Sequence, residues 1–193
     1  MTTPRPGPQD ALLVVDVQND FVTGSLAVRR GADVVAALNA AIAAFAAAGR
    51  PVFLSRDWHP PDHRSFADRG GPWPVHCVAG TSGADFVPGL ALPPEPIFVF
   101  KATRPDVDAY SAFDGTGLDR ELRARGVKRI VVGGIATDYC VVETALDALK
   151  LGYEVAVLSE AIRAVDAKPG DGARAIARMR AAGAVFLPGR ADD

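Results

Sequence analysis

Six short apolar runs, most of them separated by helical patterns, constrain the fold of this chain more than any other feature. The runs are rich in Val, Ile, Leu and Phe and span residues 11–17, 51–55, 96–100, 129–133, 153–159 and 184–187. Strands that are apolar on both faces are typical of a parallel sheet covered by helices. Helical patterns are predicted at 33–48, around 118–122, at 140–151 and at 171–182, each followed by a glycine. The sequence therefore predicts an α/β fold: a doubly wound, six-stranded, mostly parallel sheet with helices on both faces.

Length and composition favour a single domain. The chain has 193 residues, of which 49% are apolar, so it can bury a sizeable core. We expect one domain at 10–190, preceded by a flexible N-terminal tail at 1–9, and a flexible end at 191–193. A net charge of −2 without a basic stripe argues against nucleic acid and anionic membranes as partners.

The expected location is the cytoplasm. No apolar run approaches the ~20 residues of a transmembrane helix. The first nine residues are polar and Pro-rich, without the apolar region of a secretion signal. A monomer and a homo-oligomer are equally compatible with the sequence.

Ionisable residues stand at the ends of four consecutive predicted strands. Asp16 ends the first, Asp57 and His59 follow the second, Lys101 follows the third, and Cys140 follows the fourth after a turn. Ligands of open α/β sheets bind at the carboxyl ends of the strands. We therefore expect these side chains to share one site.

Cys140 is the candidate nucleophile. It begins a helix after a glycine-containing turn, where backbone N–H groups and the helix dipole stabilise a thiolate and can hold an oxyanion. The competing interpretation is a buried cysteine that packs the helix. The other cysteine, Cys77, is interpreted as buried filler, with a metal ligand or a second thiol as alternatives.

Asp16 and Lys101 supply the complementary chemistry. Asp16 interrupts an apolar strand, where loss of water raises the pKa of a carboxyl and suits it to act as a general base. Lys101 would favour a neighbouring thiolate and hold the carboxylate in place. Taken alone, Lys101 is more typical of a solvated strand end than of a catalytic group.

A loop rich in His, Pro and Gly predicts a metal site. All three histidines, His59, His63 and His76, fall between residues 57 and 94, together with Asp57. Imidazole and carboxylate groups are ligands for Zn²⁺, Fe²⁺ or Mn²⁺. Such a set leaves coordination positions open for water or substrate.

Three aromatic residues could form the wall of a pocket for a flat ring. Phe21, Trp73 and Tyr110 offer stacking surfaces, although ordinary core packing explains them equally well.

These residues together resemble the nicotinamidase/pyrazinamidase branch of the isochorismatase-like cysteine hydrolases. Five blocks between residues 11 and 187 carry the resemblance: 16–21, 57–63, 73–77, 101–113 and 134–141. The first and last blocks are typical of the wider superfamily, whereas the His-bearing loop and the block at 73–77 are more specific to nicotinamidases. The chain departs from the pattern at Ala102, where a Gly is common, and at Arg104 and Pro105, which add bulk.

The resemblance implies roles for individual residues. It implies a catalytic triad of Asp16, Lys101 and Cys140, an oxyanion hole formed by the backbone N–H groups of Ala136 and Cys140, and a cis peptide between Ile135 and Ala136. The implied substrate contacts are Phe21, Trp73, Tyr110 and Ile135. The resemblance also implies one divalent metal ion, Zn²⁺ before Fe²⁺ or Mn²⁺, held by Asp57, His59 and His76, with His63 as a candidate further ligand.

The implied reaction is hydrolysis of nicotinamide, and also of pyrazinamide, through a cysteine thioester in NAD salvage. Two alternatives stay open. One is a metal-free amidohydrolase of the same superfamily acting on ureido or carbamoyl amides. The other is a non-catalytic binding protein on this fold.

Overall fold

The computed structural model describes residues 5–187 and contains one six-stranded sheet. The strands are β1 (Asp10–Val15), β2 (Val52–Asp57), β3 (Ile97–Lys101), β4 (Arg129–Ile135), β5 (Glu154–Arg163) and β6 (Val185–Leu187). Their order across the sheet is β3-β2-β1-β4-β5-β6, and every neighbouring pair is parallel. The predicted doubly wound α/β fold is confirmed. The winding reverses between β1 and β4, which is where ligands bind in such sheets.

Helices cover both faces of the sheet. They are α1 (Asn19–Val22), α2 (Val34–Ala47), α3 (Leu118–Ala124), α4 (Val142–Lys150) and α5 (Asp171–Ala181). Helix α2 places Leu38, Ile42 and Phe45 at helical spacing in one core, whereas α3, α4 and α5 contribute to the core on the opposite face. The two cores fix the backbone of β1 and β4 from both sides, so the residues that end these strands are held rigidly.

Strand β3 differs from the prediction that the apolar runs are buried on both faces. It is an edge strand, and Phe98 and Phe100 are 38% and 42% exposed. The guanidinium of Arg56 covers part of this face, with its carbon 4.0 Å from the ring centroid of Phe86 and 5.1 Å from that of Phe98. The position of a strand at the edge depends on topology, which an apolar run does not encode.

The long segment between β2 and β3 is ordered. Two 3-10 turns, at Ala67–Arg69 and Ser82–Ala84, and isolated bridges between distant residues give it a defined path. The bridge between His59 and Val78 brings the two ends of the His-bearing loop together. This loop therefore forms a rigid cover over the carboxyl ends of β1 and β2.

The predicted tails lie mainly outside the described residues. Residues 1–4 and 191–193 are not among them, so flexibility there stays a prediction. Within the expected tail at 1–9, the Pro8 carbonyl accepts a hydrogen bond from Arg50 and the Gln9 carbonyl accepts one from the Lys128 N–H. From residue 5 to residue 187, no helix is both long and apolar enough to cross a membrane.

Candidate active site

The structure brings Asp16, Lys101 and Cys140 together at the carboxyl ends of β1, β3 and β4. Lys101 Nζ lies 3.0 Å from Asp16 Oδ2 and 3.5 Å from Cys140 Sγ. All three residues are buried. Lys101 ends β3, two strands away from β1, and its long side chain reaches both of the other groups.

Two carboxylates share the ammonium of Lys101. Nζ also donates hydrogen bonds to Asp57 Oδ1 and to the carbonyl of Ala109. Burial opposes the charge of Lys101, but Asp16 and Asp57 together hold the pKa of this ammonium well above its usual range. The cluster therefore contains one firmly protonated lysine between two carboxyl groups.

The same environment shifts the pKa values of the two carboxyl groups in opposite directions. Burial raises the pKa of Asp16, and the attraction of Lys101 only partly offsets this effect. Asp57 is equally shielded from solvent, but Lys101 and His59 hold its pKa well below the usual range. Asp16 is thus the carboxyl group adapted to accept and return a proton.

Cys140 is a neutral thiol in this environment. Burial raises the pKa of Cys140 well above its usual value, and the nearby Lys101 charge does not compensate. The sequence predicted that the helix N-terminus and Lys101 both favour a thiolate, but burial outweighs the Lys101 charge here. Cys140 lies inside a π-helical turn, Thr137–Val141, that precedes α4. Attack by Cys140 requires a base that removes its proton.

The backbone before Cys140 has the predicted unusual geometry. The peptide between Ile135 and Ala136 is cis, as the resemblance implied. The Ala136 carbonyl accepts hydrogen bonds from the N–H groups of Tyr139 and Val141, which closes the turn. This turn places the backbone of Ala136 and the Cys140 side chain on the same pocket wall.

Three of the predicted metal ligands converge. Asp57, His59 and His76 each offer a ligand atom, and these atoms all lie within 4.8 Å of one another. Both ring nitrogens of His59 are buried and have no hydrogen-bond partner among residues 5–187. Burial lowers the pKa of His76, which keeps its ring neutral for coordination. An orphaned imidazole beside a carboxylate and a second imidazole fits a divalent ion.

His63 lies beside this cluster but is engaged elsewhere. Its ring centroid is 4.2 Å from that of His59. However, Nδ1 is 2.7 Å from Ser65 Oγ and Nε2 is 3.0 Å from the Val107 carbonyl. Both ring nitrogens of His63 thus have partners, and its ring packs against that of His59.

A mostly apolar pocket opens above Cys140. It encloses about 390 Å³ of free space, including its mouth. Its lining consists of Phe21, Leu26, Val28, Asp57, Trp73, His76, Tyr110, Ala136, Tyr139, Cys140 and Val165. Three of the four predicted substrate contacts thus line the pocket, whereas Ile135, which is fully buried in the core, is not among the lining residues.

The sequence analysis missed several residues of the site. Tyr139 packs edge-on against Trp73, with ring centroids 5.1 Å apart, and completes an aromatic mouth with Tyr110. Gln18 is buried and clamps the Asp57 backbone, donating to its carbonyl and accepting from its N–H at 2.8 Å each. Ser55 donates a hydrogen bond of 2.7 Å to Asp16 Oδ1. Tyr139 adjoins Cys140 in sequence, but nothing in the sequence pairs Gln18 or Ser55 with their partners.

The fold and this cluster define a class of cysteine hydrolases in which the side chains of Asp, Lys and Cys meet at the carboxyl ends of a parallel sheet, beside its switch point. A family model described as Isochorismatase domain matches residues 10–190. The chain belongs to the isochorismatase family.

Relatives within this family lie close to the chain in sequence and structure. The nicotinamidase of Escherichia coli is 41% identical, with 93% of this chain and 94% of the relative covered. The pyrazinamidase of Pyrococcus horikoshii, solved in complex with zinc, is 46% identical with a TM-score of 0.90, covering 94% of this chain and 100% of that one. PnC1 from L. infantum, solved in complex with nicotinate, is 35% identical with a TM-score of 0.88, covering 96% of each chain. The predicted resemblance to the nicotinamidase branch is confirmed.

Proposed function

We propose that this chain is a nicotinamidase that hydrolyses nicotinamide to nicotinate and ammonia in NAD salvage, and that it also hydrolyses pyrazinamide. The observation that carries the proposal is the juxtaposition of a buried Asp16–Lys101–Cys140 cluster with an apolar pocket whose floor holds Asp57 and His76. Full-length relatives that are nicotinamidases or pyrazinamidases support it. A metal-free ureido amidase would leave the orphaned His59 unexplained.

The proton of Cys140 determines the first step. Asp16 removes it, and the sulfur attacks the carboxamide carbon to form a tetrahedral adduct. The N–H groups of Ala136 and Cys140 hold the oxyanion. Lys101 stabilises the negative charge that passes between sulfur and carboxylate, since its ammonium faces both groups.

Collapse of the adduct uses the same carboxyl group. Asp16 returns the proton to the leaving nitrogen, ammonia departs, and a thioester to Cys140 remains. Asp16 then accepts a proton from the water that attacks the thioester and returns it to the sulfur as the C–S bond breaks, which yields nicotinate and regenerates the thiol.

The residues that line the pocket orient the substrate. Phe21, Trp73 and Tyr110 bound the space for a planar ring. A divalent ion held by Asp57, His59 and His76 would fix the ring through its nitrogen. Zinc is the proposed metal because it favours such donors and is present in the pyrazinamidase relative, while Fe²⁺ and Mn²⁺ accept the same donors.

The test measures ammonia released from nicotinamide by the purified protein before chelation, after chelation, and after restoration with Zn²⁺, Fe²⁺ or Mn²⁺ in turn. We expect release that is lost on chelation and recovered with metal. The Cys140→Ala variant should release at least 1,000-fold less ammonia while still binding nicotinate, because it lacks the nucleophile but keeps the pocket. Folded, metal-loaded wild-type protein that releases no ammonia from nicotinamide would overturn the proposal.

A further inference from the structure

Ser55 occupies a buried position on β2 beside the carboxyl group of Asp16. It is fully buried, and its hydroxyl donates a hydrogen bond of 2.7 Å to Asp16 Oδ1. The backbone reinforces the approach, because the Asp16 N–H donates to the Ser55 carbonyl at 3.3 Å. A serine hydroxyl has a single proton to donate, so this contact commits the donor capacity of Ser55 to Asp16.

The two oxygens of Asp16 thereby acquire different environments. Oδ1 is occupied by Ser55, whereas Oδ2 lies 3.0 Å from Lys101 Nζ and lacks a hydrogen bond from any residue in the described range. Lys101 Nζ has hydrogen-bond geometry towards Asp57, the Ala109 carbonyl and Cys140 Sγ, which matches its three protons, and it faces Oδ2 as the partner of an ion pair. Oδ2 is therefore the carboxylate oxygen that is left to accept a proton.

The backbone conformation of Asp16 is unusual, and its carboxyl group needs a contact that fixes its orientation. It follows the last residue of β1 with φ +49°, a left-handed conformation that few non-glycine residues adopt. Rotation of its carboxyl group is limited by whatever holds Oδ1. Within residues 5–187, the hydrogen bond from Ser55 is the contact that holds Oδ1.

We infer that Ser55 is a positioning residue that occupies Asp16 Oδ1 and so presents Oδ2 to the Cys140 thiol as the proton acceptor. The expected effect on kcat rests on the proposed function. The contacts among Ser55, Asp16 and Cys140 exist without substrate and do not depend on it. In the step it controls, the S–H bond breaks, the proton moves to Oδ2, and the electron pair stays on sulfur.

The kinetic test compares Ser55→Ala and Ser55→Thr with the wild-type enzyme. Ser55→Ala should lower kcat roughly 10- to 100-fold, because it removes a hydrogen bond to a charged group at the reacting atoms. KM for nicotinamide and bound zinc should stay within about twofold, since Ser55 does not line the pocket and is not a metal ligand. Ser55→Thr keeps the hydroxyl and should recover most of kcat.

Ser111→Ala is the matched control. It removes another buried serine hydroxyl, which accepts a hydrogen bond from the Phe113 N–H, and it should change kcat by no more than about twofold.

A second measurement does not depend on turnover, nor on whether the Ser55→Thr variant folds. The rate at which a small reagent such as iodoacetamide alkylates Cys140 reports how readily the thiol loses its proton, and the buried Cys77 can be followed separately by peptide mass. Ser55→Ala should slow alkylation of Cys140 in wild-type background and have no further effect in Asp16→Asn, because the role of Ser55 acts through Asp16.

The outcomes separate this inference from the proposed function. Equal slowing by Ser55→Ala in both backgrounds, or an unchanged kcat and alkylation rate, would overturn the positioning role. A wild-type protein inactive on nicotinamide would overturn the substrate assignment and leave the alkylation cycle interpretable.

Discussion

At the scale of single residues, the site is organised by one charge. The ammonium of Lys101 contacts the proposed base Asp16, the proposed metal ligand Asp57 and the Cys140 sulfur. The pKa values of the two carboxyl groups move in opposite directions from the same starting value. Two similar groups thus take two different roles because their surroundings differ.

The histidines of the loop provide a residue-scale prediction. His59→Asn should lower zinc affinity at least 100-fold, because His59 offers unengaged ring nitrogens to the cluster. His63→Asn should lower it only about tenfold, the lower end for a residue that supports a ligand, since its ring nitrogens already contact Ser65 and Val107. Competition with a chromophoric chelator measures both affinities. A loss for His63→Asn as large as that for His59→Asn would show that the His63 ring turns to bind the ion.

At the scale of elements, β1 and β4 leave no room for a side chain at Gly134. Gly134 has φ +136°, and a Cβ atom built there would lie 2.0 Å from the Val15 carbonyl oxygen. Val15 precedes Asp16 directly, and Gly134 precedes the cis peptide of Ile135 by one residue. The absence of a side chain at this point lets the strands that present Asp16 and Cys140 pair in register.

Gly134→Ala tests this close approach. The methyl group has no space and its backbone conformation is unfavourable, so we expect a midpoint of thermal unfolding at least 10 °C lower, or insoluble protein. Gly89→Ala is the control, because its Cβ would meet only a Val35 methyl group, at 3.6 Å. Thermal unfolding followed by circular dichroism compares the two variants. A Gly134→Ala protein as stable as Gly89→Ala would contradict the tight register.

The elements also show what sequence reasoning could reach. Apolar runs and 3.6-residue periodicity depend on local composition, so the strands and the four long helices were predicted within a few residues. The edge exposure of Phe98 could not be, because it depends on strand order. In the same way, Asp16 and Cys140 stand out by type and position, whereas the contact of Ser55 with Asp16 joins residues 39 apart and exists only once β1 and β2 pair.

At the scale of the whole molecule, the site lies at the carboxyl ends of the strands, and an ion pair at their amino ends, called the anchor below, joins β1 to β4. Asp10 and Arg129 are directly paired in register at the first residues of β1 and β4, and their side chains form a two-point ion pair. Asp10 also accepts a hydrogen bond from the Gly7 N–H. This cluster ties the N-terminal segment to the two central strands at the end of the sheet away from the site.

The anchor predicts a pH-dependent contribution to stability. Burial alone would raise the pKa of Asp10, but the hydrogen bonds from Arg129 and Gly7 outweigh it and leave the pKa below its usual value. Because the pKa is lower in the folded state, the stabilisation is fully present above the unfolded pKa of about 4 and is lost as pH falls through the folded value. Asp10→Asn should therefore lower the free energy of unfolding by about 1 kcal/mol at pH ~7, a modest amount because Arg129 is partly exposed to screening solvent.

Urea unfolding of wild type and Asp10→Asn between pH ~7 and pH ~3 measures this contribution. The difference between the two proteins should narrow as the pH falls below about 4, because the wild-type carboxylate then becomes protonated like the neutral amide. Asp147→Asn removes an exposed pair with Lys150 and should change stability by no more than a few tenths of a kcal/mol at either pH. A difference for Asp10→Asn that stays constant across this range would mean that the shape of the side chain, and not its charge, holds β1 to β4. The acid sensitivity of the fold would then come from other carboxyl groups whose pKa is lowered in the folded state, such as Asp57.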